Sequence, residues 1–290
     1  MQKYTRNFRV RFYECDAYGH LNNTTYLRYM QEAAFDASAA AGYDMPRYDT
    51  LGHYWLIRET DIEYLLPLRY GDSVDVLTWV EDFRRVRSRR VYEFRHTGAE
   101  ALVARAATDW IYLNWETGKP ATIPTELIDA FYPEGPPATP PPRPKFPAPP
   151  PEPPGVFVVR RRVSWQDIDS AGHVNNAVYL AYAEDAGVRI AAARGWPMSR
   201  MLHEGFGIIA RRHQIEYREP GLLDDELDVS TWVGDVKRAT AMRYYAIRRA
   251  GDSALLARVQ TLWVWVYLKT GRPMRIPAQF METFADNISR

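Results

Sequence analysis

From Tyr54 to Leu65, Ser73 to Phe83, Arg87 to His96 and Leu102 to Leu113, β-branched and aromatic residues alternate with polar ones, the period-two pattern of half-buried strands. Phe8 to Tyr13 alternates in the same way with arginines and predicts a first strand, broken by Asp16-Ala17-Tyr18-Gly19-His20. Asn22 and Asn23 are helix N-cap types, and Leu27, Met30, Ala34, Ala37 and Ala41 then recur at helical spacing up to Gly42. That predicts a single helix of about five turns, with small alanines on its inner stripe so that a sheet can approach closely. The order is strand, long helix, then four strands, with Thr97-Gly98 and Ala250-Gly251 marking antiparallel hairpins. Short helices are predicted at Pro124 to Phe131 and Pro277 to Phe284.

The pattern occurs twice. With His20 set under His173, an offset of 153, Asp16 falls on Asp169, Gly19 on Gly172, Asn22 on Asn175, Asn23 on Asn176 and Tyr26 on Tyr179. The register then holds without a gap through Ile62-Glu63-Tyr64 on Ile215-Glu216-Tyr217, Thr78-Trp79-Val80 on Thr231-Trp232-Val233 and Ile123-Pro124 on Ile276-Pro277. Roughly a third of the aligned positions are identical, which duplication explains. Pro133 to Pro154 is more than half proline and cannot bury a core. As polyproline at about 3.1 Å per residue it could span roughly 70 Å, enough to let the copies lie side by side as a covalent pseudo-dimer. The domains expected are 1–132, a linker at 133–155, and 156–290, each domain α+β with an antiparallel sheet around one long helix; a further homodimer stays open.

Composition narrows the function. A net charge of +1, from 37 basic and 36 acidic residues, offers no global field for nucleic acid or an anionic membrane, so neither is an expected partner. The single cysteine, Cys15, excludes an internal disulfide, Met1 to Val10 has no apolar signal core, and no run approaches the roughly 18 apolar residues of a membrane span. A cytoplasmic protein is the expectation. There is no phosphate loop, no Gly-x-Ser-x-Gly elbow, no His-Glu-x-x-His helix and no metal-ligand spacing, so neither cofactor nor metal is expected. Cys15 lies beside Asp16, which would raise its pKa, and its counterpart is Ile168; it is not read as a nucleophile.

Chemistry concentrates in Asp16-x-x-x-His20-x-Asn22-Asn23 and in Asp169-x-x-x-His173-x-Asn175-Asn176, each just before the long helix. A helix start directs N–H groups and positive partial charge outward, where a carbonyl oxygen gaining negative charge is stabilised. An aspartate in that loop could deprotonate water or attack the carbonyl, while His20 or His173 and the Asn amides orient it or bind substrate. Asp, His and Asn at a helix start are first of all capping residues, and Gly19 and Gly172 turn formers. What favours chemistry is retention of the whole set in both copies while Tyr18 and Ala171 differ. Tyr26 and Tyr179 are candidate substrate contacts. Glu32 and Asp185 on the helix, with Glu184 beside the latter, either line the site or are solvated surface groups. Arg84, Arg85, Arg87, Arg89 and Arg90 crowd one hairpin, with Lys237, Arg238 and Arg243 in the second copy; a solvated turn competes with a site for a nucleotide diphosphate or an acidic carrier. Arg58 and Arg211 are equivalent and carry the same two readings, and Trp79, Trp110, Trp232 and Trp263 read as core.

Val10 to Ala33, with Asp16, Gly19, His20, Asn22, Asn23, Tyr26 and Glu32, resembles the signature of hot-dog-fold thioesterases, and Val163 to Tyr179 resembles it equally well. The 4-hydroxybenzoyl-CoA and bacterial long-chain acyl-CoA thioesterase groups look nearest. The resemblance covers nearly all of both copies. It implies a tandem double hot dog, an acyl-CoA or acyl-carrier-protein substrate, and an acid, here Asp16 and Asp169, acting as base or nucleophile on a thioester. The tandem plan is also similar to plant-type acyl-carrier-protein thioesterases, whose second hot dog supplies Asp, Asn and His; Asp169 and His173 match, but Ala171 stands in place of that Asn. The rival readings are a non-catalytic acyl-CoA sensor and a hot-dog hydratase. The hydratase family spaces Asp and His one residue further apart and adds an Asn-Pro, neither of which occurs here.

Overall fold

The alternation that predicts strands is the pattern the sheet buries: along β3 (Ser73–Arg84), Val74, Val76, Thr78, Val80 and Asp82 face inward and the residues between them face out. The computed structural model describes residues 1–137, 139 and 141–289; Ala138 and Pro140 of the predicted linker and Arg290 of the predicted second domain lie outside the described residues. The chain falls into two compact units, Met1–Lys145 and Phe146–Arg290.

In the first unit β1 (Lys3–Arg9), β3, β4 (Arg87–His96), β5 (Leu102–Asn114) and β2 (His53–Tyr64) lie side by side in that order, every neighbouring pair antiparallel. Helix α1 (Asn23–Ala40) packs against β1 and β3, and α2 (Met45–Leu51) and α3 (Thr125–Phe131) close one end. Ala33, Ala34 and Ala37 form the buried stripe of α1, so the sheet comes close to the helix backbone. The second unit repeats this with β6 (Phe157–Arg162), β8 (Glu226–Gly234), β9 (Thr240–Arg249), β10 (Leu255–Tyr267) and β7 (Phe206–Tyr217) around α4 (Asn176–Ala193), with α5 (Met198–His203) and α6 (Ala278–Thr283). Tyr112 and Leu127 in one unit, and Trp196, Phe206 and Phe284 in the other, are almost fully buried; each such side chain contributes about 1.5–3 kcal/mol.

Three expectations are corrected. The first strand ends at Arg9, and Phe12–Glu14 is a 3₁₀ turn with Phe12 and Tyr13 on the surface, not a continuation of the strand. Helices α2 and α5 stand between the long helix and the next strand, where the period predicts no helix; at seven and six residues they are too short for a visible helical period. Trp79 and Trp263 are only partly buried, and Lys3 lies 5.1 Å from the Trp79 ring. Within the first unit Arg143 of the proline-rich stretch is drawn in against the buried Asp82. Among the described residues no helix is long and apolar enough to cross a membrane.

Candidate active site

Each Asp-x-x-x-His element is a tight loop leading into the long helix. Asp16 N–H donates to the His20 carbonyl at 2.7 Å and Gly19 N–H to the Asp16 carbonyl at 2.9 Å. That closure needs a positive φ at Gly19, +75°, and Gly172 repeats it at +80°, a region that glycine enters without strain. Both loop amides then aim at one carboxylate oxygen: Tyr18 N–H and His20 N–H donate to Asp16 Oδ1 at 2.8 and 3.0 Å. In the second unit Ala171 N–H donates to Asp169 Oδ1 at 3.0 Å, Asn175 Nδ2 donates to Asp169 Oδ2 at 3.2 Å, and His173 Nδ1 stands 3.9 Å from Oδ1. Asp169 and His173 are partly exposed, at 23% and 19% of their side chains, so water reaches the pair.

Asn22 and Asn175 cap their helices, accepting from Thr24 N–H at 2.9 Å and Ala177 N–H at 3.0 Å. Asn23 and Asn176 occupy the first helical position, and their carbonyls accept from Tyr64 and Tyr217 hydroxyls at 3.4 and 3.1 Å. The approach to each helix is held by an acid that sequence reasoning passed over. Glu14 accepts from Arg11 N–H and the Tyr29 hydroxyl, and its carbonyl accepts from Asn22 N–H; Asp167 accepts from Ser164 N–H, and its carbonyl from Asn175 N–H. The signal was an acid at the same register position in both copies, three residues after the turn begins, as in a capping box.

Burial is the main cause that lowers the His20 pKa, with Arg69 adding to it and Asp16 opposing; His20 and Arg69 are joined by a backbone bridge. Cys15 is raised, chiefly by burial and next by Asp16, which leaves it a thiol.

The other predicted residues are dispersed. Tyr26 and Tyr179 are each 3% exposed and sit in the core: Tyr26 packs edge-on to Tyr64 with its hydroxyl at the Leu68 backbone, and the Tyr179 hydroxyl accepts from Gly221 N–H at 2.8 Å. Glu32 is exposed on α1, about 14 Å along the axis from its start. Arg58 and Arg211 fall at equivalent β-bulges of β2 and β7, where the register skips a residue and re-aims the side chain. Arg85 and Arg238 are exposed at hairpin tips, their carbonyls accepting from Ile123 and Ile276 N–H. Arg85 stands beyond the far end of β3 from its own unit's Asp16 loop, about 36 Å along the strand. A cavity of about 420 Å³ beside Ala40, Ala41 and Pro133 lies at the other end of α1, about 27 Å from the loop, and has none of this chemistry.

One divergence between the units was not visible in the sequence. In the first, the Thr108 hydroxyl joins Tyr92 and Trp110 at 3.0 and 2.7 Å. In the second, Thr261 lies 2.8 Å from Nδ1 of the fully buried His213, whose Nε2 is 3.6 Å from Glu184. Tyr245 accordingly turns toward the helix, where a Cβ at Gly187 would meet its hydroxyl at 2.9 Å. Among the described residues no group of three or more His, Cys, Asp or Glu could hold a metal.

A family model described as the thioesterase-like superfamily matches residues 10–131 and 163–284. A chloroplastic acyl-[acyl-carrier-protein] hydrolase of Cuphea viscosissima is 24% identical over 193 residues, 62% of this chain but only 46% of that protein, so the match spans less than half its length. An acyl-CoA thioester hydrolase of Escherichia coli O6:H1 is 25% identical over 123 residues, 42% of this chain and 91% of its own. The structure of a 12:0-ACP thioesterase from Umbellularia californica superposes with a TM-score of 0.70 at 19% identity over 90% of this chain and 96% of that one, a likeness of fold.

Proposed function

Because the chain belongs to the thioesterase-like superfamily, whose model matches both of its halves, we propose that it hydrolyses acyl thioesters of CoA or of a carrier protein at the loops that start α1 and α4. The observation that carries this reading is the aspartate of each loop, held by backbone amides at the mouth of a helix N-terminus. In the proposed reaction the thioester carbonyl lies over the first turn at Asn23 or Asn176, where N–H dipoles stabilise the oxygen as it becomes negative. Asp16 or Asp169 takes a proton from water as the water oxygen bonds to the carbonyl carbon; the carbon–sulfur bond then breaks and the thiolate is protonated, yielding a carboxylic acid and a free thiol. Attack by the carboxylate itself, through an anhydride that water then opens, uses the same geometry. His20 supports Asp16 through its backbone N–H, His173 stands 3.9 Å from Asp169 Oδ1 to steer it, and Asn175 Nδ2 donates to Oδ2 of Asp169. The proposed domains are 1–132 and 156–290, with 133–155 as the tether.

The test is thiol release across acyl-CoA chain lengths and acyl-carrier-protein substrates. Asp16→Asn with Asp169→Asn is expected to lower turnover by about 100- to 10,000-fold on helices that still fold, and the single substitutions divide the activity between the loops. Near-normal turnover by the double variant would remove the mechanism; tight acyl-CoA binding with no thiol released by the unsubstituted chain would make this a sensor instead.

A further inference from the structure

Around the first Asp loop the surface carries side chains that a solvated turn does not need. Phe12 is 78% exposed, Tyr13 77% and Tyr70 60%. Phe12 and Tyr70 come from separate segments, yet their rings meet edge to face at 5.9 Å and 86°. Backbone bonds fix the two segments together: Val10 N–H donates to Asp72, Gly71 N–H to Val10 and Leu21 N–H to Leu68. The aromatic wall is therefore rigidly held beside Asp16 without being buried.

Two arginines flank it. Arg11, before Phe12, has 62% of its side chain exposed, while the Glu14 it touches at 3.3 Å is only 10% exposed and already accepts from Arg11 N–H and the Tyr29 hydroxyl. Arg69, before Tyr70, is exposed and bridges to His20 through the backbone, and Asp72 beneath it accepts from Arg69 N–H at 2.7 Å. Arg11 thus meets Glu14 through one guanidinium nitrogen and is otherwise in water, while Asp72 is engaged with the Arg69 backbone and Arg69 is exposed. At the equivalent positions the second unit has Ser164, Trp165, Leu222 and Leu223, followed by Asp224 and Asp225. It keeps exposed apolar surface but lacks both arginines; Asp225 matches Asp72 of the first unit, and Asp224, where the first unit has Gly71, pairs with Arg162.

Exposed aromatic faces beside paired guanidinium groups suit a planar heterocycle carrying phosphates, by stacking and charge-assisted hydrogen bonds. Resting on the thioesterase reading above, we propose that Phe12, Tyr70, Arg11 and Arg69 bind the 3′-phosphorylated ADP portion of coenzyme A, which makes the first unit selective for CoA thioesters over carrier-protein thioesters. A carrier protein delivers its acyl group on phosphopantetheine alone and brings no adenine to this wall. The second unit, with Ser164 and Leu222 in place of the two arginines, has no matching cations for the same phosphates.

The experiment uses the full chain and adenosine 3′,5′-bisphosphate as probe, by titration calorimetry, so that it does not depend on turnover. Phe12→Ala with Tyr70→Ala is expected to weaken binding by about tenfold or more, in line with base stacking elsewhere, and Trp165→Ala to leave it unchanged. In the kinetic arm the same double variant raises KM for an acyl-CoA but not for the matching acyl-pantetheine, with kcat retained. Equal binding by the double variant and the parent, an equal loss in Trp165→Ala, or KM rising by one factor for both thioesters overturns the proposal. Nucleotide binding without thiol release would leave the site standing and defeat the thioesterase reading; if Arg11→Ala with Arg69→Ala weakens an acyl-carrier protein and spares the nucleotide, the wall belongs to a carrier protein.

Discussion

Burial draws the His20 imidazole below its ordinary pKa of 6.5, and Arg69 adds to this while Asp16 pulls against it. A base whose folded pKa lies below its unfolded value binds its proton more readily in the unfolded chain. Stability should therefore fall as pH drops through 6.5 toward the folded value, and a neutral His20 can accept a hydrogen bond near Asp16 at pH 7. The midpoint of the His20 ring signals in an NMR titration is expected below 6.5; a midpoint at or above it would show that burial does not dominate. At this scale Asp16, Asn22 and their repeats were legible, because each bonds within a few residues of itself and the duplication marks them. His213 was not, because its partners Thr261 and Glu184 lie far along the chain and meet only when β7, β10 and α4 are assembled. Tyr26 and Tyr179 lie in the core for a related reason: a tyrosine next to the candidate loop in sequence can point through the helix inward.

Helix α4 begins where Asn175 does two things at once, accepting from Ala177 N–H through Oδ1 and donating through Nδ2 to Asp169. The two roles separate by mutation. Asn175→Ala should lose about 1 kcal/mol of stability with the cap. Asn175→Asp keeps the cap but sets a second carboxylate against Asp169, so thermal unfolding should barely move while thiol release, read in an Asp16→Asn background, drops. If Asn175→Asp, in the Asp16→Asn background, turns over like the Asp16→Asn chain alone, the Nδ2 contact has no part in the site. The long strands and helices were readable from period two and period 3.6, since each buries one face over its whole length. Helices α2 and α5 were not, for Pro46 and Pro197 look like breakers until they are seen at helix starts, where proline fits. The first strand stops at Arg9 because the Glu14 carboxylate takes Arg11 N–H and folds the chain into a turn.

Within the first unit, the end of the proline-rich stretch is tied to the sheet by Arg143, whose guanidinium reaches Asp82 on β3 and Asp109 on β5, the latter also held by Arg89 at 2.5 Å. Asp82 is 1% exposed, so removing a cation leaves carboxylates undercompensated in a dry place. Arg143→Met is expected to destabilise this unit by about 3 kcal/mol in urea unfolding, and a change below about 1 kcal/mol would mean that Arg84 and Arg89 suffice. Composition marked this segment as proline-rich and unable to form a core, but one arginine among prolines carried no sign of its partner. For the chain as a whole, the sequence by itself determined that one α+β plan is written twice and where each Asp loop meets its helix. Those features rest on periodicity, local turn chemistry and repetition, which are properties of neighbours along the chain. Only the tertiary structure decided that Tyr26 is core, that Arg85 stands a strand's length from Asp16, and that Phe12 and Tyr70 form one wall. Such placements depend on which distant segments the sheet brings together, and burial energy fixes that pairing through many weak contacts that no single residue announces.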